Sequence, residues 1–141
     1  MIRTVTQSYW NHASMYIGNE EFIESDFDGV VVRKLDDLKD RKIRIYRHKQ
    51  ATDKHLDYIC DRALEYEGAK YDWKALVELG WMFTSGKRGD DVIGSGNRFI
   101  CSEIVALPYQ EQGYMVRDDR DYDEVVPGDF DISENFRRLE I

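Results

Sequence analysis

Two residues far apart in the chain have the chemistry of a nucleophile and its base. Cys101 stands in Asn97-Arg98-Phe99-Ile100-Cys101-Ser102-Glu103-Ile104-Val105-Ala106, where a loop rich in Gly, Ser and Asp turns into an apolar, helix-compatible run. On the first turn of a helix, unpaired N–H groups and the positive end of the dipole favour a thiolate. His12 stands in Asn11-His12-Ala13-Ser14-Met15-Tyr16-Ile17-Gly18. An imidazole there can take the thiol proton, and a third polar group is needed to orient it. Glu24, in Phe22-Ile23-Glu24-Ser25, is the candidate for that role.

The elements that must bring these residues together can be read from periodicity. From His12 to Ile17 polar and apolar residues alternate, with His12, Ser14 and Tyr16 on one face, the pattern of a half-buried strand. Gly18-Asn19 marks a turn and 22–25 the partner strand of a hairpin. If the turn centres there, residues whose numbers sum to about 36 lie opposite each other, so that His12 faces Glu24 within a residue of slippage. Asp26–Gly29 is a second turn, 30–33 a third strand, 35–39 a short helical connection and 42–47 a fourth strand. The period then changes. Leu56, Ile59, Cys60, Ala63 and Leu64 fall at helical spacing over 52–67, with Thr52 or Asp53 as N-cap and Gly68 as the stop. A second helix is predicted over 72–84 and a glycine-rich loop over 85–96, placed to act as a lid. A third helix is predicted over 101–112, kinked or shortened by Pro108. A charge run over 118–123, a turn over 125–130 and a final strand over 136–141 close the chain. Strands early and helices late predict a single α+β domain over 1–141, a mainly antiparallel sheet packed against helices.

Each member of the Cys101–His12–Glu24 set also fits a structural role. A free cysteine is commonly buried, a strand histidine commonly satisfied by a neighbour, and a strand carboxylate commonly solvated. Cys60 lies on the apolar side of its helix and reads as inert core. The basic cluster Arg41, Lys42, Arg44, Arg47, His48 and Lys49 reads as a solvated edge strand, with a site for a substrate carboxylate or phosphate as the alternative. Trp73, Trp81 and Phe83 read as core. His12, His48 and His55 have no metal-ligand spacing and no cysteine pair supports zinc, so no metal is expected, and chemistry by a cysteine, a histidine and a carboxylate needs no cofactor.

Composition excludes several classes. The chain has 141 residues, 42% of them hydrophobic, and a formal net charge of −8 from 20 basic and 28 acidic side chains. That charge argues against general nucleic-acid or anionic-membrane binding. No apolar run approaches the roughly 18–20 residues of a membrane span. The N-terminus lacks a secretory signal pattern, and a cytoplasmic location is expected. Two cysteines do not make a disulfide framework.

The stretches 12–18, 22–25, Gly29-Val30 and 101–105 together resemble the circularly permuted papain-like (NlpC-type) cysteine hydrolases. The branch they are similar to is the YiiX-like one, with lecithin–retinol acyltransferase as a more distant relative. Gly68-Ala69-Lys70-Tyr71-Asp72-Trp73 is similar to the family's Gly-x-x-Tyr-Asp stretch, and Val126-Pro127-Gly128-Asp129-Phe130 to its closing Pro-Gly-Asp turn. The likeness spans roughly residues 3 to 135, with the histidine strand ahead of the cysteine helix as in the permuted group.

The resemblance implies Cys101 as nucleophile, His12 as general base and Glu24 as the orienting residue of a hydrolase. Its substrate would be an amide, in a small peptide or a peptidoglycan-like cross-link, or an acyl-lipid ester. Tyr16, Ser102 and Tyr71 are the candidate substrate-binding residues. An inactive binding module on the same fold, or an acyltransferase or thioesterase using the same triad, are the alternatives. The family's opening Gly-Asp strand has no counterpart in the eleven residues before His12, so it is either absent or supplied by another segment; its absence would favour the binding module and leave a sheet edge open for a homodimer or a partner strand.

Overall fold

A computed structural model of the chain describes residues 12–71 and 98–140. The helix predicted over 72–84 and the loop over 85–96 lie outside the described residues. Within them the protein is α+β, with two antiparallel sheets, a short parallel pair and three α-helices.

Strands β1 (Met15–Gly18), β2 (Glu21–Asp26) and β3 (Gly29–Lys34) form a meander in the order β1-β2-β3. A 3-10 turn, Leu35–Leu38, leads to β4 (Ile45–His48), and α1 (Asp53–Glu65) follows. The two-residue strands β5 (Lys70–Tyr71) and β6 (Arg98–Phe99) pair in parallel, and β6 feeds directly into α2 (Cys101–Glu111). A 3-10 turn at Tyr122–Glu124, the short helix α3 (Asp129–Ile132) and β7 (Phe136–Leu139) complete the described chain. Among the described residues β4 pairs with β7 alone, in a second antiparallel sheet.

The two-residue period of the meander decides which side chains enter the core. Met15, Ile23 and Val30 project from one face and pack with Ile59 and Ala63 of α1 and Ile104 and Val105 of α2. Burying an aliphatic side chain of this size contributes about 1.5–3 kcal/mol, so this face anchors the sheet to both helices. The opposite face carries Ser14, Tyr16, Phe22, Glu24, Asp26 and Arg33.

Local chemistry sets the boundaries. Thr52 caps α1 by accepting the His55 N–H at 3.2 Å. Glu103 reaches back from the first turn of α2 to accept the Ile100 N–H at 3.2 Å. Pro108 does not end that helix, which continues to Glu111. The turn Asp26–Gly29 needs its glycine: φ is +94°, and a Cβ there would lie 2.3 Å from the Ala69 carbonyl oxygen. That carbonyl accepts the Val30 N–H at 2.8 Å, tying β3 to the strand that follows α1.

The Pro-Gly-Asp turn acts through Asp129, which is 2% exposed. Its carboxylate accepts the Val126 N–H at 2.9 Å, Arg120 Nη1 at 2.9 Å and Arg117 Nη1 at 3.1 Å. A buried carboxylate needs this much pairing to offset its desolvation.

The expected basic edge strand needs correction at His48. Its side chain is buried against Tyr114 and Phe136, with ring centroids at 4.8 and 5.0 Å, and Nδ1 accepts the Gln50 N–H at 3.1 Å. Burial lowers its pKa, which fits a neutral ring in an aromatic cage. Alternation explains the difference: Arg47 faces outward and His48 inward. Arg44 is half-buried and pairs with Asp131 at 2.8 Å. No described helix is long and apolar enough to cross a membrane.

Candidate active site

The β1–β2 turn sets the position of His12. Asn19 and Glu20 form a two-residue loop, both with positive φ (54° and 60°), and Gly18 before them has φ +91°. This is the geometry of the tight hairpin turn whose twist matches its strands. A bulge between Tyr16 and Gly18 absorbs the extra residue.

The register is therefore two residues from the expected one. Met15 faces Ile23 and Tyr16 faces Phe22, so Ser14 rather than His12 continues the ladder opposite Glu24. A shift of two keeps every side chain on its own face. His12, in the extended segment before β1, consequently reaches Glu24 as a diagonal neighbour: Nε2 lies 2.6 Å from Glu24 Oε2.

Glu24 serves two partners. Its side chain is 9% exposed, and Oε1 accepts Arg33 Nε at 2.7 Å while Oε2 takes His12. Burial pushes this carboxyl up, but the hydrogen bond and charge of His12 and the hydrogen bond of Arg33 outweigh it and hold the pKa below the ordinary value. Arg33 Nη2 also donates to Asp26 Oδ2 at 2.5 Å and to Asp28 Oδ2 at 3.3 Å.

Cys101 is the second side-chain partner of the imidazole. It is the first residue of α2 and 1% exposed. With Nε2 engaged by Glu24, Nδ1 is the nitrogen left for the thiol. Burial of His12 works against its charge. The side-chain hydrogen bond of Cys101 and then that of Glu24, together with the charges of both, overcome this and raise its pKa to about 10. The direction is that of an imidazole whose charged form is stabilised by its hydrogen-bond partners against the cost of burial.

Thus three of the residues singled out by type and spacing, Cys101, His12 and Glu24, come together. The others stand as follows. Tyr16 is 56% exposed on the same sheet face as Glu24. Ser102 is 0% exposed, and its Oγ has no hydrogen-bond partner among the described residues. Tyr71 pairs through its backbone with Phe99, two residues before Cys101. Cys60 is half-buried, its Sγ 3.7 Å from the Tyr16 carbonyl oxygen, and burial followed by the charges of Asp57 and Asp61 pushes its thiol up. His55 Nδ1 is 2.5 Å from the Tyr114 hydroxyl.

Arg33 is the residue that sequence reasoning missed. Its signal was present in the second hairpin: a two-residue turn at Phe27-Asp28 puts Arg33 opposite Phe22 and so on the face of Glu24. Among the described residues, Asp121, Asp123 and Glu124 bring potential metal-ligand atoms within 4.8 Å of one another, on the charged segment after α2. No protein-family model matches the chain, and neither does any curated protein.

Proposed function

We propose that the protein is a cysteine hydrolase with the permuted papain-like arrangement, acting on an amide or ester through an acyl-enzyme on Cys101. The observation that carries this reading is the His12 imidazole held between the Glu24 carboxylate and the Cys101 side chain at the start of α2. His12 takes the thiol proton. The thiolate attacks the carbonyl carbon, and the imidazolium returns its proton to the departing amine or alcohol. His12 then accepts a proton from water as the hydroxide attacks the thioester, which releases the acid and regenerates the thiolate. The first backbone N–H groups of α2, at Cys101 and Ser102, have no intrahelical carbonyl to bond and are the natural donors to the oxyanion.

The near-complete burial of Cys101 favours a second reading. A thiol kept from water suits transfer of the acyl group to an acceptor other than water. Both reactions begin with the same acyl-enzyme, and only transfer needs a second substrate for turnover.

The test is iodoacetamide alkylation as a function of pH, with the modified cysteine identified by mass spectrometry. An ordinary thiol reacts appreciably only near pH ~8.5, whereas a His-paired one reacts well below it. Fast modification of Cys101 near pH ~6, lost in His12→Ala, is the expected result. Cys101→Ser should remove both that modification and turnover of amide and ester substrates. Slow modification that is indifferent to His12→Ala would overturn the reading.

A further inference from the structure

We propose that Arg33 is a positioning residue of this site, its guanidinium clamping the Glu24 carboxylate in its ionised form and in the orientation that engages His12. The inference rests on the function proposed above and extends it by one residue, from a line of three to a line of four.

The geometry is specific to arginine. Arg33 lies opposite Phe22, and its side chain runs along β2 past Glu24 to Asp26 and Asp28. Nε donates to Glu24 Oε1 at 2.7 Å, while Nη2 donates to Asp26 at 2.5 Å and to Asp28 at 3.3 Å. A lysine has a single donor centre and cannot span both carboxylates in this way. With Oε1 fixed by Arg33, the other oxygen of Glu24 is directed at His12.

The charges make the clamp necessary. Glu24 shares its end of the site with two further carboxylates, Asp26 and Asp28, against Arg33 and His12, and His12 also has Cys101 as a partner. Asp26 acts on Glu24 as a like charge that favours the protonated acid. Arg33 neutralises Asp26 and bonds Glu24 at once. Without it, a carboxyl only 9% exposed faces an unscreened neighbour, and a protonated Glu24 would no longer stabilise the imidazolium.

The experiment follows the His12 ring by NMR through the acid range, where its shift reports protonation of Glu24. It compares the native protein, Arg33→Gln, Glu24→Gln and the double variant, with Cys101 alkylation measured in parallel. Loss of an adjacent cation moves a carboxylate upward by about 1 pH unit or more, so the acid inflection should rise by that much in Arg33→Gln. Alkylation on the acid limb should slow about tenfold, the equivalent of one unit. In the Glu24→Gln background the inflection is gone, and adding Arg33→Gln should change neither readout.

An inflection unmoved in Arg33→Gln, or equal slowing in both backgrounds, would show that Arg33 does not act through Glu24. Arg33→Lys keeps the charge and the stem, is expected to fall between native and Arg33→Gln, and carries the test if the glutamine variant does not fold. The two failures are distinct. If native Cys101 alkylates no faster than Cys60, the hydrolase reading falls, while the His12 titration still reports whether Arg33 controls Glu24.

Discussion

Glu24→Gln is the substitution whose consequence can be worked out most fully. Glu24 presents two acceptor oxygens to two donors, His12 Nε2 and Arg33 Nε, at 2.6 and 2.7 Å. A glutamine has one carbonyl oxygen and one NH2, so whichever way the amide turns, one donor meets another donor. The anion beside the imidazole is lost as well. A hydrogen bond to a charged group contributes about 1.5–3 kcal/mol, which at 1.36 kcal/mol per unit is roughly 1–2 pKa units. His12, raised to about 10 in the native protein, should fall by that amount yet stay above its ordinary 6.5, because Cys101 still faces it. The assay is a two-dimensional NMR titration of the His12 Cε1–H through the alkaline range, in the native protein and in Glu24→Gln. A His12 that titrates at the same pH in both would refute the claim that Glu24 stabilises the imidazolium. A fall all the way to the ordinary value would show that Cys101 contributes nothing.

Three further outcomes are expected. His12, with its pKa raised from 6.5 to about 10, contributes stability that is complete below about 6.5 and lost as pH climbs through about 10. Glu24, lowered from 4.5, contributes stability that is complete above 4.5 and lost as pH falls through its folded value. Urea unfolding across pH should therefore show the native protein's advantage over His12→Ala shrinking on the alkaline side; a constant difference would contradict the shift. Gly29→Ala should cost about 1–3 kcal/mol in the same assay, because it combines a positive φ with a Cβ driven into the Ala69 carbonyl, and an unchanged midpoint would mean that the turn relaxes freely. Cys60→Ser should cost about 1 kcal/mol or less, since the site is half-buried and a hydroxyl can donate to the Tyr16 carbonyl that the thiol now faces; abolished substrate turnover in that variant would mean that Cys101 is the wrong nucleophile.

Much of the candidate site was legible because short-range patterns carry it. Alternation around His12 and around Glu24, with a turn between them, is enough to put an imidazole and a carboxylate on one sheet face. The apolar run after Ile100 is enough to put Cys101 at a helix start. The register was less legible. It depends on which two residues adopt positive φ, and Asn19-Glu20 with a bulge before Gly18 competes closely with a turn centred on Gly18-Asn19. The expected pairing survived the difference only because a slip of two preserves the face.

The sequence by itself determined the local elements: the hairpins, α1 with its Thr52 cap, the helix beginning at Cys101 and the closing turn at Asp129. These follow from periodicity and capping chemistry within a few residues of each position. The tertiary structure alone decided which elements meet. It joined β4 to β7 as a separate sheet and turned His48 inward to an aromatic cage. It laid Arg33 across β2 onto Glu24, and it brought the first turn of α2 to His12. Such contacts link positions from nine to almost ninety residues apart, as between Arg33 and Glu24, His48 and Phe136, or Cys101 and His12. No local propensity encodes them: burying the Met15, Ile23 and Val30 face of the meander against α1 and α2 fixes where α2 begins, while the Arg33–Glu24 contact forms on the opposite face and His48 packs in the separate β4–β7 sheet.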